Sequence, residues 1–208
     1  MMSLLYSENW VHGQEDHFIK KYSDDFYFKQ LFDDKHKSIS GNGVTKEKIR
    51  INDYKRKGIV STQDKISYEY GQHWTGYYKN EEGSDLDTEL LQLYVPKLKE
   101  ILQILGLYGE GRIYSYQSIW GQLSKKDVPC YMKEHTHGKE NKVALSWVHF
   151  VKVPEQKCFY FKTKEKVYPE CQKSGDLIVF PNYMNHGVDE RIDLDERFVI
   201  VGNIIRTK

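Results

Sequence analysis

The chain has 208 residues, 39% hydrophobic and 14% aromatic, with 31 basic side chains against 30 acidic ones for a net charge of +1. That length suits a single domain with a sizeable core, and the charge balance argues against a protein held electrostatically on nucleic acid or an anionic membrane. Cys130, Cys158 and Cys171 are an odd number at no metal-type spacing, no apolar run reaches membrane-spanning length, and Ser3-Leu4-Leu5-Tyr6 is too short for a secretion signal, so the expectation is a soluble cytoplasmic protein with reduced thiols.

The first 36 residues mix aromatic and charged side chains. Glu15 to Leu31 carries a rough helical stripe of Phe18, Ile19, Tyr22 and Phe26, although Phe26-Tyr27-Phe28 also suits a strand. From Asp33 to Lys57 the chain is polar, and the basic stretch Tyr54-Lys55-Arg56-Lys57 sits among acidic residues, which favours a solvated loop over a nucleic-acid patch. Tyr68 to Asn80 gathers Tyr70, Trp74, Tyr77 and Tyr78 around Gly71 and Gly76, the pattern of a packed loop or of one folded over a pocket. Asp85 to Leu105 is the clearest helix. Leu90, Leu91, Tyr94, Leu98, Ile101 and Leu102 recur at three and four, Ser84 or Asp85 can cap the start, Pro96 predicts a kink or two pieces, and Gly106 is a natural stop.

After Gly109 the period changes. Residues 113–120, 142–153, 158–162, 176–180 and 197–205 read as short strands separated by Gly, Pro and charged turns. The expected fold is mainly β with flanking α: a small antiparallel sandwich or barrel of the jelly-roll type over residues 109–208, with the helical and loop segments of 1–108 packed outside it, all in one domain spanning 1–208.

The densest group of ligand-type side chains is Glu134-His135-Thr136-His137-Gly138. In an extended backbone His135 and His137 share a face, so their imidazoles can converge on a first-row metal ion. A third histidine, His186, follows the run Gly175-Asp176-Leu177-Ile178-Val179-Phe180-Pro181 and stands at the end of a later strand. In a rolled sheet the two strand ends can meet, and three neutral imidazoles on one side of a metal leave positions open, the layout of a catalytic site. Arg197 opens Arg197-Phe198-Val199-Ile200-Val201 and shares a face with Val199 and Val201. If that face is internal, a guanidinium enters an apolar interior and needs an anionic partner: a bound carboxylate, or Asp193, Asp195 or Glu196 if the residue lies at the surface.

Trp120-Gly121-Gln122, His135-Thr136-His137, Leu145 to Phe150, Gly175 to Pro181, Asn185-His186 and Arg197 to Asn203, in that order, resemble the 2-oxoglutarate- and Fe(II)-dependent oxygenases. In particular they resemble a subgroup of small, often phage-encoded members with His-x-His in place of His-x-Asp. The resemblance covers roughly residues 112–205 and implies a double-stranded β-helix. It implies that His135, His137 and His186 hold iron, that Arg197 holds the distal carboxylate of 2-oxoglutarate, and that Gln122 and Tyr131 are candidates to contact the co-substrate. Tyr131 shares a face with His135 if the strand between them runs straight. Glu134 or Glu140 is the alternative to His137 as third ligand, and Glu134 ranks lower because it alternates away from the histidines.

The implied reaction is hydroxylation of a small-molecule or peptide substrate, with 2-oxoglutarate converted to succinate and carbon dioxide. A cupin-type metal enzyme without 2-oxoglutarate is the first alternative, and a non-catalytic binding module of the same fold the second. An internal Arg197 discriminates against the cupin reading. The remaining histidines, His12 and His149 among them, are expected to be structural or surface residues.

Overall fold

A computed structural model describes residues 4–23, 73–75, 88–109, 112, 114–124, 130–137, 143–191 and 195–206. The polar stretch 33–57, the continuation of the first helix towards Leu31, the helix-capping candidates Ser84 and Asp85, and most of the aromatic stretch 68–80 lie outside the described residues. No helix among the described residues is long and apolar enough to cross a membrane.

The chain is mainly β. In order, the elements are β1 (Tyr6–Asn9), α1 (Glu15–Ser23), β2 (His73–Thr75), α2 (Thr88–Ile104), β3 (Tyr114–Ser124), β4 (Cys130–His135), β5 (Val143–Lys152), β6 (Phe159–Lys162), β7 (Lys166–Val167), β8 (Asp176–Pro181), β9 (His186–Arg191) and β10 (Arg197–Arg206). A six-stranded sheet has the order β1-β8-β5-β10-β3-β2, and a four-stranded sheet has the order β4-β9-β6-β7. From β3 onward the chain passes back and forth between the sheets, which is jelly-roll connectivity with antiparallel pairing.

The large sheet is buried on both faces, which explains the text of its central strands. Leu177 and Val179 of β8 pack with the helices while Ile178 and Phe180 pack with the small sheet, so all four residues are apolar rather than alternating. The same division splits β10 into Phe198, Ile200 and Ile204 on the helix side and Val199 and Val201 on the other. Met132, Phe159, Phe161 and Val188 answer them from the small sheet.

Helix α2 presents Leu90, Tyr94, Leu98, Ile101 and Leu102, each fully buried, to the outer face of the large sheet. Each such side chain contributes about 1.5–3 kcal/mol by burial. The Tyr94 ring stacks on Trp147 at 5.0 Å, and its hydroxyl lies 2.5 Å from Nδ1 of His149. The helix runs unbroken through Pro96 rather than as two pieces. It ends at Gly106, whose φ of 65° is accessible to glycine without strain. There the Gly106 N–H bonds to Gln103 O at 2.9 Å and the Leu107 N–H to Leu102 O at 2.8 Å, a Schellman cap.

Two elements of the N-terminal half depart from the sequence expectation. β1 and β2 are edge strands of the large sheet itself, so part of residues 1–108 belongs to the sheet rather than lying outside it. β2 falls inside the stretch expected to be a loop at 68–80. Neither carries a hydrophobic run long enough to announce a strand, because each pairs along one side only, over three or four residues.

Candidate metal centre

β4 ends at His135 and β9 begins at His186, and these two residues are direct cross-strand partners. His186 therefore opens a strand of the small sheet, rather than closing the strand before it as the sequence suggested. His137 lies two residues past the end of β4, outside any strand. Simple alternation along one strand is thus not what aims it. Its backbone N–H instead donates to Asn182 O at 3.0 Å, which docks the segment against the β8–β9 connection.

The same connection orients His186, whose Nδ1–H donates to Met184 O at 2.9 Å. With Nδ1 carrying the proton, Nε2 keeps its lone pair for a ligand. The three rings then converge. Centroids are 4.4 Å apart for His135–His186, 5.1 Å for His135–His137 and 5.3 Å for His137–His186, and one nitrogen from each lies within 4.8 Å of the others. Phe159 and Phe180 wall the His186 ring at 5.8 and 5.1 Å.

Burial holds His137 and His186 neutral. Removal from water, reinforced by the positive charge that His135 would carry, pushes His137 down to about 4. Burial first, then His135 and His137, holds His186 well below the ordinary histidine range. Imidazoles gathered in this way offer lone pairs to a metal, and three of them with open positions suit Fe(II), Zn or Cu in a catalytic arrangement. Among the described residues no carboxylate joins this group. Glu134 is exposed, and its Oε1 receives the Tyr160 hydroxyl at 3.4 Å, while Glu140 lies outside the described residues.

Arg197 is 2% exposed and opens β10 on the face shared with Val199 and Val201, between the two sheets. Its Nε and Nη1 are buried without a hydrogen-bond partner. Glu196 faces Lys152 at 3.5 Å instead, Asp195 is exposed, and Asp193 lies outside the described residues. Among the described residues this desolvated guanidinium has no counterion, which is costly, so an anion is the chemistry this position calls for.

Gln122, 5% exposed, is the cross-strand partner of Val199, one alternation from Arg197 on the same face. Sequence reasoning missed Ser146 and Asn203, both buried, which pair across β5 and β10 with the hydroxyl donating to Oδ1 at 2.9 Å. The signal was present: Asn203 continues the alternation of Arg197, Val199 and Val201, and Ser146 continues that of Val148 and Phe150.

Tyr131 lies within β4, and its side chain is outside the described set. The straight strand assumed between Tyr131 and His135 is not found. The register shifts on both sides of Met132, and Met132, three residues before His135, is itself buried between the sheets. A bulge takes up the odd residue, so facing cannot be counted back in twos from His135.

No protein-family model and no curated protein matches the chain. Among solved structures, it is similar to an oxidoreductase of the 2OG-Fe(II) oxygenase family from Burkholderia pseudomallei at 15% identity and TM-score 0.46, over 63% of each chain, so it spans less than two thirds of that protein. It is similar to a Pseudomonas putida prolyl-4-hydroxylase at 17% identity and TM-score 0.41, over 66% of this chain and 72% of that one. It is also similar to a viral collagen prolyl hydroxylase from Paramecium Bursaria Chlorella virus-1 at 14% identity and TM-score 0.40, over 64% and 77% of the two chains.

Proposed function

We propose that the chain is a 2-oxoglutarate- and Fe(II)-dependent oxygenase, of the kind with His-x-His in place of His-x-Asp, that hydroxylates a small-molecule or peptide substrate. The observation that carries this reading is the buried Arg197, with Nε and Nη1 unpartnered, in an interior that also holds three convergent imidazoles. A cupin-type metal enzyme has use for the histidines but none for that guanidinium.

His135, His137 and His186 would hold the iron, and Arg197 would hold the distal carboxylate of the co-substrate. Gln122 and Tyr131 are further candidates for contact with it. Bound together, Fe(II) and 2-oxoglutarate supply oxidative decarboxylation to succinate and carbon dioxide, coupled to hydroxylation of a substrate C–H bond by dioxygen.

The chain's own part is positioning and exclusion. The Met184 carbonyl fixes the His186 tautomer, and the Asn182 carbonyl holds the His137 segment. Val199, Val201, Phe159 and Phe161 keep the interior apolar, which strengthens a charge-assisted contact at Arg197. A third histidine instead of a carboxylate leaves the full metal charge uncompensated by the protein, a role the anionic co-substrate can take.

Anaerobic titration of 2-oxoglutarate into Fe(II)-loaded protein, following the visible charge-transfer band of the chelate, tests this directly. Arg197→Ala is expected to weaken 2-oxoglutarate by about tenfold to a hundredfold, since a hydrogen bond to a charged group contributes about 1.5–3 kcal/mol. It should leave iron affinity near the wild-type value. Arg197→Lys should restore only part, because an ammonium lacks the planar fork. Equal 2-oxoglutarate affinity in folded Arg197→Ala would remove Arg197 from the site, and no 2-oxoglutarate binding by wild type would remove the co-substrate from the reading.

A further inference from the structure

The ligand-bearing strands are tied together on the side of the small sheet that faces away from the metal centre. Phe159 and Phe161 of β6 point between the sheets, so Tyr160 points out. Its cross-strand partner on β9 is Gly187, the residue after His186. On the far side of β9, the residue before His135 is Glu134. The Tyr160 hydroxyl spans β9 and donates to Glu134 Oε1 at 3.4 Å.

That crossing is open only because residue 187 has no side chain. A Cβ there would sit 2.7 Å from the Tyr160 hydroxyl oxygen, 2.9 Å from Cζ of its ring and 2.9 Å from the Met132 carbonyl of β4. Nothing about backbone conformation demands glycine here, since Gly187 is not among the residues of positive φ. The requirement is the close passage of the phenol and of the neighbouring strand. The ring is further held by Lys166, whose ammonium lies 4.3 Å over its centroid and is bonded to Asp189 of β9, while the Tyr168 hydroxyl donates to the same carboxylate. Tyr160 itself is 4% exposed, so its position is tightly determined by packing.

We infer that Tyr160, lying across Gly187 to Glu134, is a positioning residue that sets the spacing of the strand ends bearing His135 and His186. It touches neither metal nor substrate. Its effect passes through backbone to the two imidazoles on the opposite side of the same strands. The inference rests on the metal-centre reading above.

The test uses the full-length chain and cobalt(II), whose visible d–d bands report coordination geometry without turnover. Wild type should bind one cobalt(II), and His186→Ala should bind none. Gly187→Ala drives the phenol and β4 away, and should weaken cobalt(II) by about tenfold to a hundredfold, the usual effect of disturbing groups behind metal ligands, and shift the bands. Tyr160→Phe keeps the ring and loses only the hydroxyl, and should give a smaller loss of affinity with a band change in the same direction. Glu170→Gln, which breaks only the exposed ion pair with Lys157, should leave affinity and spectrum unchanged. Thermal melting verifies that each variant is folded. Folded Gly187→Ala and Tyr160→Phe with wild-type affinity and bands overturn the inference while leaving the metal centre standing. If Gly187→Ala does not fold, Tyr160→Phe decides alone, and wild-type binding in it overturns the inference. Failure of wild type to bind cobalt(II), or full binding by His186→Ala, removes the metal centre and this inference together.

Discussion

Two clusters of partly to fully buried histidines lie on opposite faces of the large sheet. On the helix side, His12 and His149 face one another with centroids 5.4 Å apart, surrounded by Trp10, Phe18 and Tyr94. Between the sheets, His135, His137 and His186 converge. Burial pushes His149 down to about 4, the same value that it gives His137. Each of the helix-side pair even has a buried Nε2 without a hydrogen-bond partner. A depressed pKa and an orphaned nitrogen thus do not separate a structural histidine from a ligand. Convergence does. The helix-side pair has its Nδ1 atoms occupied, by the Gln14 N–H at His12 and the Tyr94 hydroxyl at His149, and among the described residues no group of three ligands forms there. The inter-sheet group brings three nitrogens to one point and shares its interior with an unpaired guanidinium.

The sharpest way to break this contrast is to delete one histidine from each cluster. His186→Ala should abolish metal binding in a folded protein. His149→Ala should retain one metal per chain and instead lose about 2–5 kcal/mol of stability, as a fully buried and hydrogen-bonded side chain becomes a cavity. Metal analysis and thermal melting read both effects. A folded His149→Ala without metal would show that the two faces are not independent.

Acidification should act on the two clusters alike in the metal-free protein. A histidine whose folded pKa lies below its unfolded value near 6.5 binds fewer protons when folded, so its contribution is present above that pH and is lost as pH falls towards about 4. His137 and His149 each contribute on the order of 3 kcal/mol to this acid limb. Denaturant unfolding between pH 7 and 4 should show it, and a flat profile across that window would contradict the burial of both. Protons should likewise compete with metal at His137 only as pH approaches about 4, and not near 6.5 as an ordinary histidine would predict. The His137 ring, followed by NMR in the metal-free protein, should therefore show no titration midpoint between pH 7 and 6, and a midpoint there would place that histidine in water.

A smaller effect separates the guanidinium from the groups packed for stability. Arg197→Met should leave the ligand-free protein as stable as wild type, or more stable by about 1 kcal/mol or more, because it removes an unpaired buried charge. The same variant should lose 2-oxoglutarate binding. A clear fall in melting temperature without ligand would mean that Arg197 has a structural counterion, and would move it to the structural side of the comparison.

Legibility in the sequence followed burial. β5, β8, β10 and α2 were plain, because their apolar residues are packed by neighbours on one or both faces and the sequence carries the imprint. β9 is not legible as a strand in the sequence, and β4 is legible only as an extended stretch around its histidines. Among their described side chains only Met132 and Val188 join the inter-sheet apolar cluster, and the β9 text His-Gly-Val-Asp-Glu-Arg resembles a loop. β1 and β2 were missed because a short edge strand takes its conformation from its partner.

The amino-acid order by itself determined the inventory of the candidate site and the facing of Arg197. Side-chain alternation along β10 is local geometry, and it holds whatever the strand packs against. The tertiary structure alone decided which groups meet. The opposition of His135 and His186 comes from β4 pairing with β9, and the approach of His137 comes from one backbone hydrogen bond to Asn182. The orphaned Nε and Nη1 of Arg197, the Ser146–Asn203 pair and the passage of Tyr160 over Gly187 are likewise contacts between strands far apart in the chain. Such contacts depend on register and on the distance between strands, and a run of residues read along one strand carries no information about either.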